Sequence, residues 1–347
     1  MDRPRPEGTI MPTTTPTVLL TGGTGFIGAH TAKVLVEDGA EVIATDISTD
    51  TRRLAKLDVL EDITVRQLDL TDPTAVIRTI RRTDATHVIH LGATTSLIAR
   101  QSPRLAIEVN VTGTNNILEA ARTLEDQVER VAWASTMAVY APAMKYDRQP
   151  VDEDDLVYPD SIYGATKECC EHQARLYAEE FGVSAVGLRP TGVYGPFNNP
   201  DYLDSEGGTV TDHRSPSGRT AGLFAKAAQG HPVSMTVRSG ANDWIYVEDV
   251  ARLFVAAAFT PDEERSRHVY NAASGSVASI EEAVEILRDL LPDAEIDLTV
   301  EGESPYVSAV DGTRAHEEFD TEPQYDLRAG IEAYVNTIRA DQGLDPV

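Results

Sequence analysis

The feature that most constrains this chain is the glycine-rich segment TGGTGFIG at residues 21–28. It follows a short apolar run, TVLL, and precedes HTAKVLVED, in which apolar residues recur at helical spacing. Gly22 permits a tight turn, Gly25 lets the backbone approach a phosphate group, and Gly28 lets the helix pack closely on the strand. The first turn of such a helix presents free N–H groups to an anion. The segment predicts a βα unit that binds the pyrophosphate of a dinucleotide.

A carboxylate closes the second predicted strand, EVIATD at 41–46. Asp46 lies 24 residues after Gly22. A carboxylate at this position accepts hydrogen bonds from the adenosine ribose hydroxyls and repels a 2′-phosphate. We therefore expect NAD, and not NADP, as the cofactor.

Strand and helix patterns alternate along the first half of the chain. Further strands are predicted at 63–70, 87–93, 128–135 and 184–190, and helices at 108–122 and 161–182. The alternation predicts the α/β class, with a Rossmann-type doubly wound parallel sheet and right-handed crossovers.

The chain is expected to have three parts. They are a flexible N-terminal tail at 1–16, an NAD-binding Rossmann domain at 17–195 with returning segments near 240–275, and a smaller C-terminal α/β substrate-binding lobe at 196–239 and 276–340. The polar segment 197–220 is too long for a simple connection and is expected to cover a site. Met11 is an alternative to Met1 as the start of the chain.

The charge of the chain restricts its partners. It has 30 Lys and Arg against 56 Asp and Glu, a formal net charge of −26 over 347 residues. Such a surface repels nucleic acid and anionic membranes, so neither is an expected partner. No apolar run approaches the roughly 20 residues of a membrane helix, and no signal peptide is recognisable, so a cytoplasmic protein is predicted. Salt screens self-repulsion of this size. We therefore favour a halophilic protein in a salt-rich cytoplasm over a protein with an acidic surface in a cytoplasm of ordinary salt concentration.

The two cysteines, Cys169 and Cys170, are adjacent in a predicted helix. Their side chains would point roughly 100° apart. This geometry argues against a disulfide and against a metal site.

Tyr163 and Lys167 are four residues apart in YGATK. This spacing brings both side chains onto one helix face, roughly 6 Å apart. An ammonium group and an oxidised nicotinamide favour the phenolate and lower the pKa of a tyrosine. Tyr163 can then take a proton from a substrate hydroxyl while hydride leaves the same carbon.

Two hydroxyl residues, Ser135 and Thr136, end the predicted strand 128–135. The carboxyl end of a strand beside the cofactor crevice is where a hydroxyl can hydrogen-bond the reacting oxygen. Thr136 is the candidate for this role. Ser135 either contacts the substrate or only caps the following turn.

In the order and spacing of these motifs, the chain resembles the extended short-chain dehydrogenase/reductase family, in its NAD-dependent epimerase/dehydratase branch. Within that branch it is similar to nucleotide-sugar 4-epimerases. The resemblance covers about residues 17–275. The motifs that carry it are TGGTGFIG, Asp69-Leu70, HLGA, Asn110 in EVNVTGTNNILEA, STMAVY, YGATK, LRPTGVYGP and DWIYVEDVA.

The resemblance implies roles for individual residues. The implied catalytic residues are Thr136, Tyr163 as base, and Lys167, which also binds the ribose. The implied NAD contacts, beside Gly22, Gly25, Gly28 and Asp46, are Phe26, Ile27, Asp69, Leu70, Leu91, Ala93, Asn110, Tyr163, Lys167, Pro190 and Val193. The candidate substrate contacts are Thr94, Thr95, Ser135, Arg214, Arg219 and Arg238. Relatives pair the helix after Asn110 with the Tyr163 helix, so a homodimer is implied.

Departures from the family pattern concern the substrate. Family members that dehydrate nucleotide sugars have an acidic residue directly after the threonine, where this chain has Met137 and Ala138, so a 4,6-dehydratase is not expected. Nucleotide-sugar 4-epimerases commonly have Asn at the position of Gly192 and Arg at the position of Asn242, and both contact the diphosphate. An arginine–phosphate contact is a strong one. In this chain the diphosphate contact of the missing arginine could be supplied by Arg238, Arg219, Arg214 or His213.

Three functions are consistent with these residues. The first is hydride transfer at a secondary alcohol of a sugar, sugar acid or similar polyol, with release of NADH. The second is a nucleotide-sugar (UDP-sugar) 4-epimerase that keeps its NAD bound. The third is a non-catalytic NAD sensor, and the intact Thr136, Tyr163 and Lys167 set argues against it.

Overall fold

The structure is a computed structural model that describes residues 15–198 and 216–347, with side chains in the second range described from residue 222 onward. Most of the predicted N-terminal tail therefore lies outside the described residues, as does most of the predicted covering segment 197–220.

The strands are numbered in chain order. They are β1 (Thr17–Thr21), β2 (Glu41–Asp46), β3 (Thr64–Gln67), β4 (His87–His90), β5 (Arg130–Ala134), β6 (Ala185–Pro190), β7 (Gly192–Tyr194), β8 (Val233–Ser239), β9 (Ala241–Tyr246), β10 (Val269–Ala272), β11 (Val277–Ser279) and β12 (Ile296–Glu303).

The helices are numbered in the same way. They are α1 (Phe26–Glu37), α2 (Arg52–Lys56), α3 (Pro73–Arg82), α4 (Ser96–Gln101), α5 (Pro103–Ala106), α6 (Gly113–Thr123), α7 (Ile162–Phe181), α8 (Pro216–Ala228), α9 (Val247–Phe259), α10 (Ile280–Leu290), α11 (Thr313–Glu318) and α12 (Leu327–Asp341). A π-helical segment, Ile107–Thr112, precedes α6.

Seven strands form one parallel sheet in the order β10-β6-β5-β4-β1-β2-β3. β1 is paired with β2 on one side and β4 on the other, so that Thr21 lies beside both Thr45 and His90. Strand order reverses at β1, and a ligand crevice opens at the carboxyl ends of the strands where this happens. The predicted Rossmann-type doubly wound α/β fold is confirmed.

The sheet is buried on both faces because its strands alternate between two cores. Val18 and Leu20 of β1 pack in the core with α1 and α9, and Leu19 packs in the opposite core with residues of α3, α6 and α7. Strands of a parallel sheet covered by helices are apolar on both faces for this reason. Trp133 fills the second core and is fully buried against β6, where a Cβ on Gly187 would lie 2.6 Å from the indole ring.

A third core belongs to the C-terminal half of the chain. It packs α8, α10 and α12 against the two-stranded sheet β12-β8 and the three-stranded sheet β11-β9-β7. β7 lies within the predicted domain 17–195, yet it pairs with β9 instead of the large sheet. Of the predicted returning segments, β10 joins the large sheet and β9 does not.

Several elements differ from the sequence-based expectation, and the strand predicted at 87–93 ends at His90. The strand predicted at 63–70 ends at Gln67, and Asp69 accepts from both the N–H and the hydroxyl of Thr71 in a turn. The helix predicted at 108–122 begins as the π-helical segment, which carries the fully buried Asn110. Within the described part of the chain, no helix is long and apolar enough to cross a membrane.

Candidate active site

The glycine-rich turn has no room for side chains at Gly22, Gly23 and Gly28, and a Cβ on Gly23 would lie 2.8 Å from the Ala44 Cβ. Gly22 has a φ of +68°, and a Cβ there would lie 2.7 Å from the Gly92 nitrogen. A Cβ on Gly28 would lie 2.0 Å from the Gly22 carbonyl oxygen. α1 starts at Phe26 with no side-chain cap and no acidic residue in its first turn, so its positive end is left open toward the crevice. This geometry suits a pyrophosphate group.

Asp46 ends β2 at the same edge of the sheet and is half-buried. One of its oxygens accepts a hydrogen bond from the Ser48 N–H, 3.2 Å away. The neighbouring Arg52 pairs with Asp50 at 2.8 Å. Arg53 donates to backbone carbonyls of the glycine-rich turn and of residues 197 and 198. The guanidinium groups of Arg52 and Arg53 thus have protein partners, and the Asp46 carboxylate is the group that fits a ribose without a 2′-phosphate.

Leu70 forms the wall beside the glycine-rich turn. It is buried, and a Cβ on Gly92 would lie 2.6 Å from its Cδ1 atom. Asn116 donates to the Leu70 carbonyl at 2.8 Å, which holds this wall to α6. Leu91 and Ala93, both half-buried, continue the wall from the end of β4.

Asn110 connects the end of β4 to α7. Its Oδ1 accepts from the Thr94 N–H at 2.8 Å and from the Thr94 hydroxyl at 3.1 Å. Its Nδ2 donates to the Thr166 hydroxyl at 3.0 Å. Because the amide is fully buried and satisfied by protein groups, Asn110 would influence a cofactor only through Thr94 and α7. Thr95, next to Thr94, is exposed.

Thr136, Tyr163 and Lys167 meet at the carboxyl end of β5. Ser161 caps α7 by accepting from the Gly164 N–H at 3.1 Å, which places Tyr163 in the first turn. The Tyr163 hydroxyl interacts with the Thr136 hydroxyl through a hydrogen bond. Lys167 is almost fully buried, and its Nζ donates to the Ala134 carbonyl at 2.7 Å. The structure therefore brings the three predicted catalytic residues together.

Gly164 makes this approach possible, and it is not among the residues predicted from the sequence. A Cβ at this position would lie 2.2 Å from the Ala138 carbonyl oxygen and 2.7 Å from Pro159 Cβ. The turn that follows Thr136 therefore packs directly on the backbone of α7. The sequence signal for this close packing is the glycine between the tyrosine and the lysine of the YGATK motif.

The pKa of Tyr163 in the polypeptide without NAD lies above the ordinary tyrosine value. Burial raises it to about 12, and the hydrogen bond from Thr136 lowers it only in part. Burial also lowers the pKa of Lys167. The lowering of the tyrosine pKa by Lys167 together with an oxidised nicotinamide concerns the NAD-bound site and stays a prediction.

Ser135 does not face the crevice. It is 3% exposed, and its hydroxyl donates to Glu171 at 2.5 Å. Glu171 in turn accepts from Arg189 of β6 at 2.8 and 2.7 Å. The hydroxyl is thus committed to a buried ion pair, which favours a supporting role for Ser135 over substrate contact.

The remaining predicted residues are spread over both parts of the fold. Pro190 is buried at the end of β6 and Val193 is buried in β7. Arg238 is exposed on β8 and donates to the Glu303 carbonyl at 3.5 Å. Arg214 lies outside the described residues, as does His213, and of Arg219 only its place in α8 is described. Among the residues described, no group of three His, Cys, Asp or Glu side chains could hold a metal ion.

The model of the NAD dependent epimerase/dehydratase family matches residues 18–273 of the chain. The chain belongs to this family. It is an NAD-dependent enzyme of the extended short-chain dehydrogenase/reductase type, as the glycine-rich turn and the Tyr163–Lys167 pair predicted.

Among similar proteins, UDP-glucuronate 4-epimerase 4 of Arabidopsis thaliana is 28% identical over 342 residues, which cover 92% of this chain and 74% of that protein. The crystal structure of Thermus thermophilus UDP-glucose 4-epimerase in complex with NAD has 28% identity and a TM-score of 0.76, and covers 93% of this chain and 99% of its own. An L-threonine dehydrogenase from Clostridium difficile shares the fold, with a TM-score of 0.79 at 22% identity over 95% of this chain and 99% of its own.

Proposed function

We propose that this enzyme is a UDP-sugar 4-epimerase, with UDP-glucuronate as the first candidate substrate. The observation that carries the proposal is the meeting of Thr136, Tyr163 and Lys167 at the sheet edge that also holds the glycine-rich turn. The UDP-glucuronate and UDP-glucose 4-epimerases among its relatives support the substrate class.

The residues of the crevice fit NAD. The glycine-rich turn and the first turn of α1, with Phe26 and Ile27, would hold the pyrophosphate, and Asp46 the adenosine ribose. Asp69 and Leu70 would flank the adenine, and the residues at the ends of β4, β6 and β7 would line the rest of the molecule, namely Leu91, Ala93, Pro190 and Val193. When bound, NAD supplies the hydride acceptor and donor.

The chemistry of the polypeptide is proton transfer at one carbinol. Thr136 and Tyr163 hydrogen-bond the C4 hydroxyl of the sugar, and Tyr163 takes its proton as the C4–H bond breaks. Lys167 keeps a positive charge below the tyrosine and binds the ribose with the donors that Ala134 does not use. Met137 and Ala138 have no acid or base for C5, so the reaction stays at C4. Tyr163 returns the proton after the keto sugar has turned its other face.

A second candidate is a net sugar dehydrogenase that releases NADH. The observation that favours it is the absence of the usual diphosphate contacts at Gly192 and Asn242. A Cβ at position 192 would lie 2.7 Å from the Asp243 carbonyl oxygen, so β7 packs too closely on β9 to present a side chain there. A substrate without a diphosphate would not need these contacts.

The test is a reaction of the purified enzyme with UDP-glucuronate, UDP-glucose and a panel of free sugars in high salt. Epimerised UDP-sugar, seen by proton NMR without net absorbance at 340 nm, supports the epimerase. Net NADH formation with a free sugar selects the dehydrogenase. Turnover of neither class by the wild-type enzyme contradicts both.

The proposed assembly is a homodimer that pairs α7 with α6, the helix after Asn110, and with the segment that leads into α6. The outer face of α7 presents a stripe at spacings of three and four residues, namely Ile162, Ala165, Cys169, His172 and Leu176, all exposed. Ile107 is 51% exposed and Leu105 is 41% exposed on the helix that leads to α6. Apolar residues at such spacing form the seam of paired helices. Light scattering should give twice the chain mass, and Leu176→Glu should give the monomer.

The proposed setting is a salt-rich cytoplasm. It is supported by the formal net charge of −26, whose self-repulsion requires screening. Dialysis to low salt should lower the melting temperature. An unchanged melting temperature would argue for an ordinary cytoplasm.

A further inference from the structure

Ala134 at the end of β5 and Ser135 after it are each bonded to a different turn of α7, and Thr136 follows them beside a third turn. Lys167 donates to the Ala134 carbonyl at 2.7 Å, and the Ser135 hydroxyl donates to Glu171 at 2.5 Å. Thr136, the next residue, interacts with Tyr163. The partners on α7 are spaced by four residues, so they form one stripe along the helix. The register between strand and helix thus determines where the Thr136 hydroxyl lies.

Glu171 is itself held from a second strand. The Arg189 guanidinium of β6 donates to both carboxylate oxygens of Glu171, and the two side chains are 6% and 10% exposed. The third guanidinium nitrogen donates to the Tyr140 hydroxyl at 2.9 Å. That hydroxyl donates to Asn271 of β10 at 2.7 Å. One buried polar network therefore spans β5, β6 and β10 directly beneath the site.

Stability alone does not account for such a network. A buried ion pair loses as much in desolvation as it gains in attraction, and apolar residues of similar size often stabilise a core equally well. A fully satisfied network has one geometry, whereas an apolar contact tolerates sliding. Here the sliding would move Thr136, which has an extended backbone and is followed by the turn packed on Gly164.

We infer that Glu171 is a positioning residue, which acts through Ser135 to hold the Thr136 hydroxyl against Tyr163. Arg189 fixes the Glu171 carboxylate so that one of its oxygens receives the Ser135 hydroxyl. The inference rests on the proposed function, because Thr136 and Tyr163 are proposed as the groups that contact the substrate. Glu171 itself touches neither substrate nor cofactor in this arrangement.

The test compares Ser135→Ala, Glu171→Gln and the double variant in the full-length enzyme. Ser135→Ala should lower kcat for epimerisation of UDP-glucuronate, or of whichever probe sugar the wild-type enzyme turns over, about 10- to 100-fold. For Ser135→Ala the Kd for NAD and the melting temperature should stay near the wild-type values, whereas Glu171→Gln, which weakens the buried ion pair with Arg189, should lower the melting temperature. The double variant should be no slower than Glu171→Gln, because both changes remove the same link.

The chain offers a matched control at the opposite edge of the sheet. The Ser184 hydroxyl donates to Asp262 at 2.5 Å and accepts from Arg130 at 3.1 Å, so it has the same serine–carboxylate–arginine chemistry far from the site. Ser184→Ala should leave kcat unchanged. An unchanged kcat in Ser135→Ala, or effects of Ser135→Ala and Glu171→Gln that multiply in the double variant, would overturn the inference. If Glu171→Gln does not fold, the comparison of kcat between Ser135→Ala and Ser184→Ala tests the inference.

Amide hydrogen exchange separates this inference from the proposed function. In Ser135→Ala the amides of residues 136–140 should exchange faster, while those of β5 and α7 keep their protection. If the wild-type enzyme turns over no UDP-sugar, the proposed function fails and exchange alone decides. Unchanged exchange at 136–140 would then overturn the inference.

Discussion

Tyr163 illustrates how a single residue depends on its surroundings. Its pKa lies at about 12 in the polypeptide because burial penalises the phenolate more than Thr136 stabilises it. A base for neutral pH therefore has to gain further positive charge when the site is complete, which the oxidised nicotinamide would provide. We therefore expect the proposed base to depend on bound NAD.

Replacement of this hydroxyl gives the first prediction. Tyr163→Phe should lower turnover by roughly three orders of magnitude, as expected for loss of a general base. NAD affinity, measured by calorimetry, should survive because Asp46 and the glycine-rich turn are untouched. Tyr177→Phe removes a hydroxyl from the same helix that bonds Asn115 and Glu119, and serves as control. Near-normal activity of Tyr163→Phe would refute the assignment.

Gly164 gives a second prediction at this scale. In Gly164→Ala the added Cβ would lie 2.2 Å from the Ala138 carbonyl oxygen, so the turn after Thr136 must move. The substitution should favour the helix by roughly 1 kcal/mol through propensity and yet reduce kcat about tenfold or more. Steady-state kinetics and thermal melting measure the two effects. The exposed neighbour Ala165→Ser is the control, and an active Gly164→Ala enzyme would show that the close packing is dispensable.

At the scale of elements, α7 has two different faces. The inner face carries Tyr163, Lys167 and Glu171 against the end of β5, and the outer face carries the apolar stripe of the proposed dimer. An error in the register of α7 would therefore disturb catalysis and assembly together. The end of β2 is simpler, because Asp46 projects from it beside the open end of α1 and, among the described residues, accepts a hydrogen bond from the Ser48 N–H of the turn that follows.

The carboxyl end of β2 is predicted to determine cofactor choice. Asp46→Ser should weaken NAD binding about tenfold or more, as expected for loss of a charge-assisted hydrogen bond. It should also narrow the preference for NAD over NADP, since the repulsion of a 2′-phosphate is removed. Calorimetric titration with both cofactors measures this. Asp58→Asn, which removes one negative charge at an exposed position, is the control. An equal loss of NAD affinity in both variants would point to the net charge as the cause.

At the scale of the whole molecule, three buried histidines should make the folded protein less stable at acidic pH. Burial lowers the pKa of His30 and of His87 to about 4 and that of His90 to about 3. His90 lies between the Thr21 and Thr114 hydroxyls below the glycine-rich turn. Between these values and the ordinary value near 6.5, the unfolded chain binds protons that the folded protein excludes.

The unfolding free energy should therefore fall as the pH decreases from about 6.5 toward 4. Each histidine contributes about 1.4 kcal/mol per pH unit in this window, and the three together about 4 kcal/mol per unit. Above pH 6.5 the contribution is complete and does not change. Urea unfolding at fixed high salt measures the slope, and His87→Gln should reduce it by about a third. A flat profile from pH 6.5 to 5 would contradict the prediction.

Much of this protein was predictable from its sequence because the relevant physics is local. The glycine-rich turn, Asp46 at the end of its strand and the spacing of Tyr163 and Lys167 all follow from turn geometry and helical periodicity, which neighbouring residues determine. The parallel sheet follows from the alternation of strands and helices. These features placed the chain in its family without coordinates.

Only the tertiary structure decided what depends on contacts between distant segments. The direction of the Tyr163 pKa depends on desolvation by the surrounding fold, and the inward turn of Ser135 depends on Glu171, 36 residues later, and on Arg189. The need for glycine at 164 depends on a carbonyl from another element, and the departure of β7 from the large sheet depends on its pairing with β9. Periodicity reports which face of an element is buried, whereas the partner that buries it is chosen by packing across the whole fold.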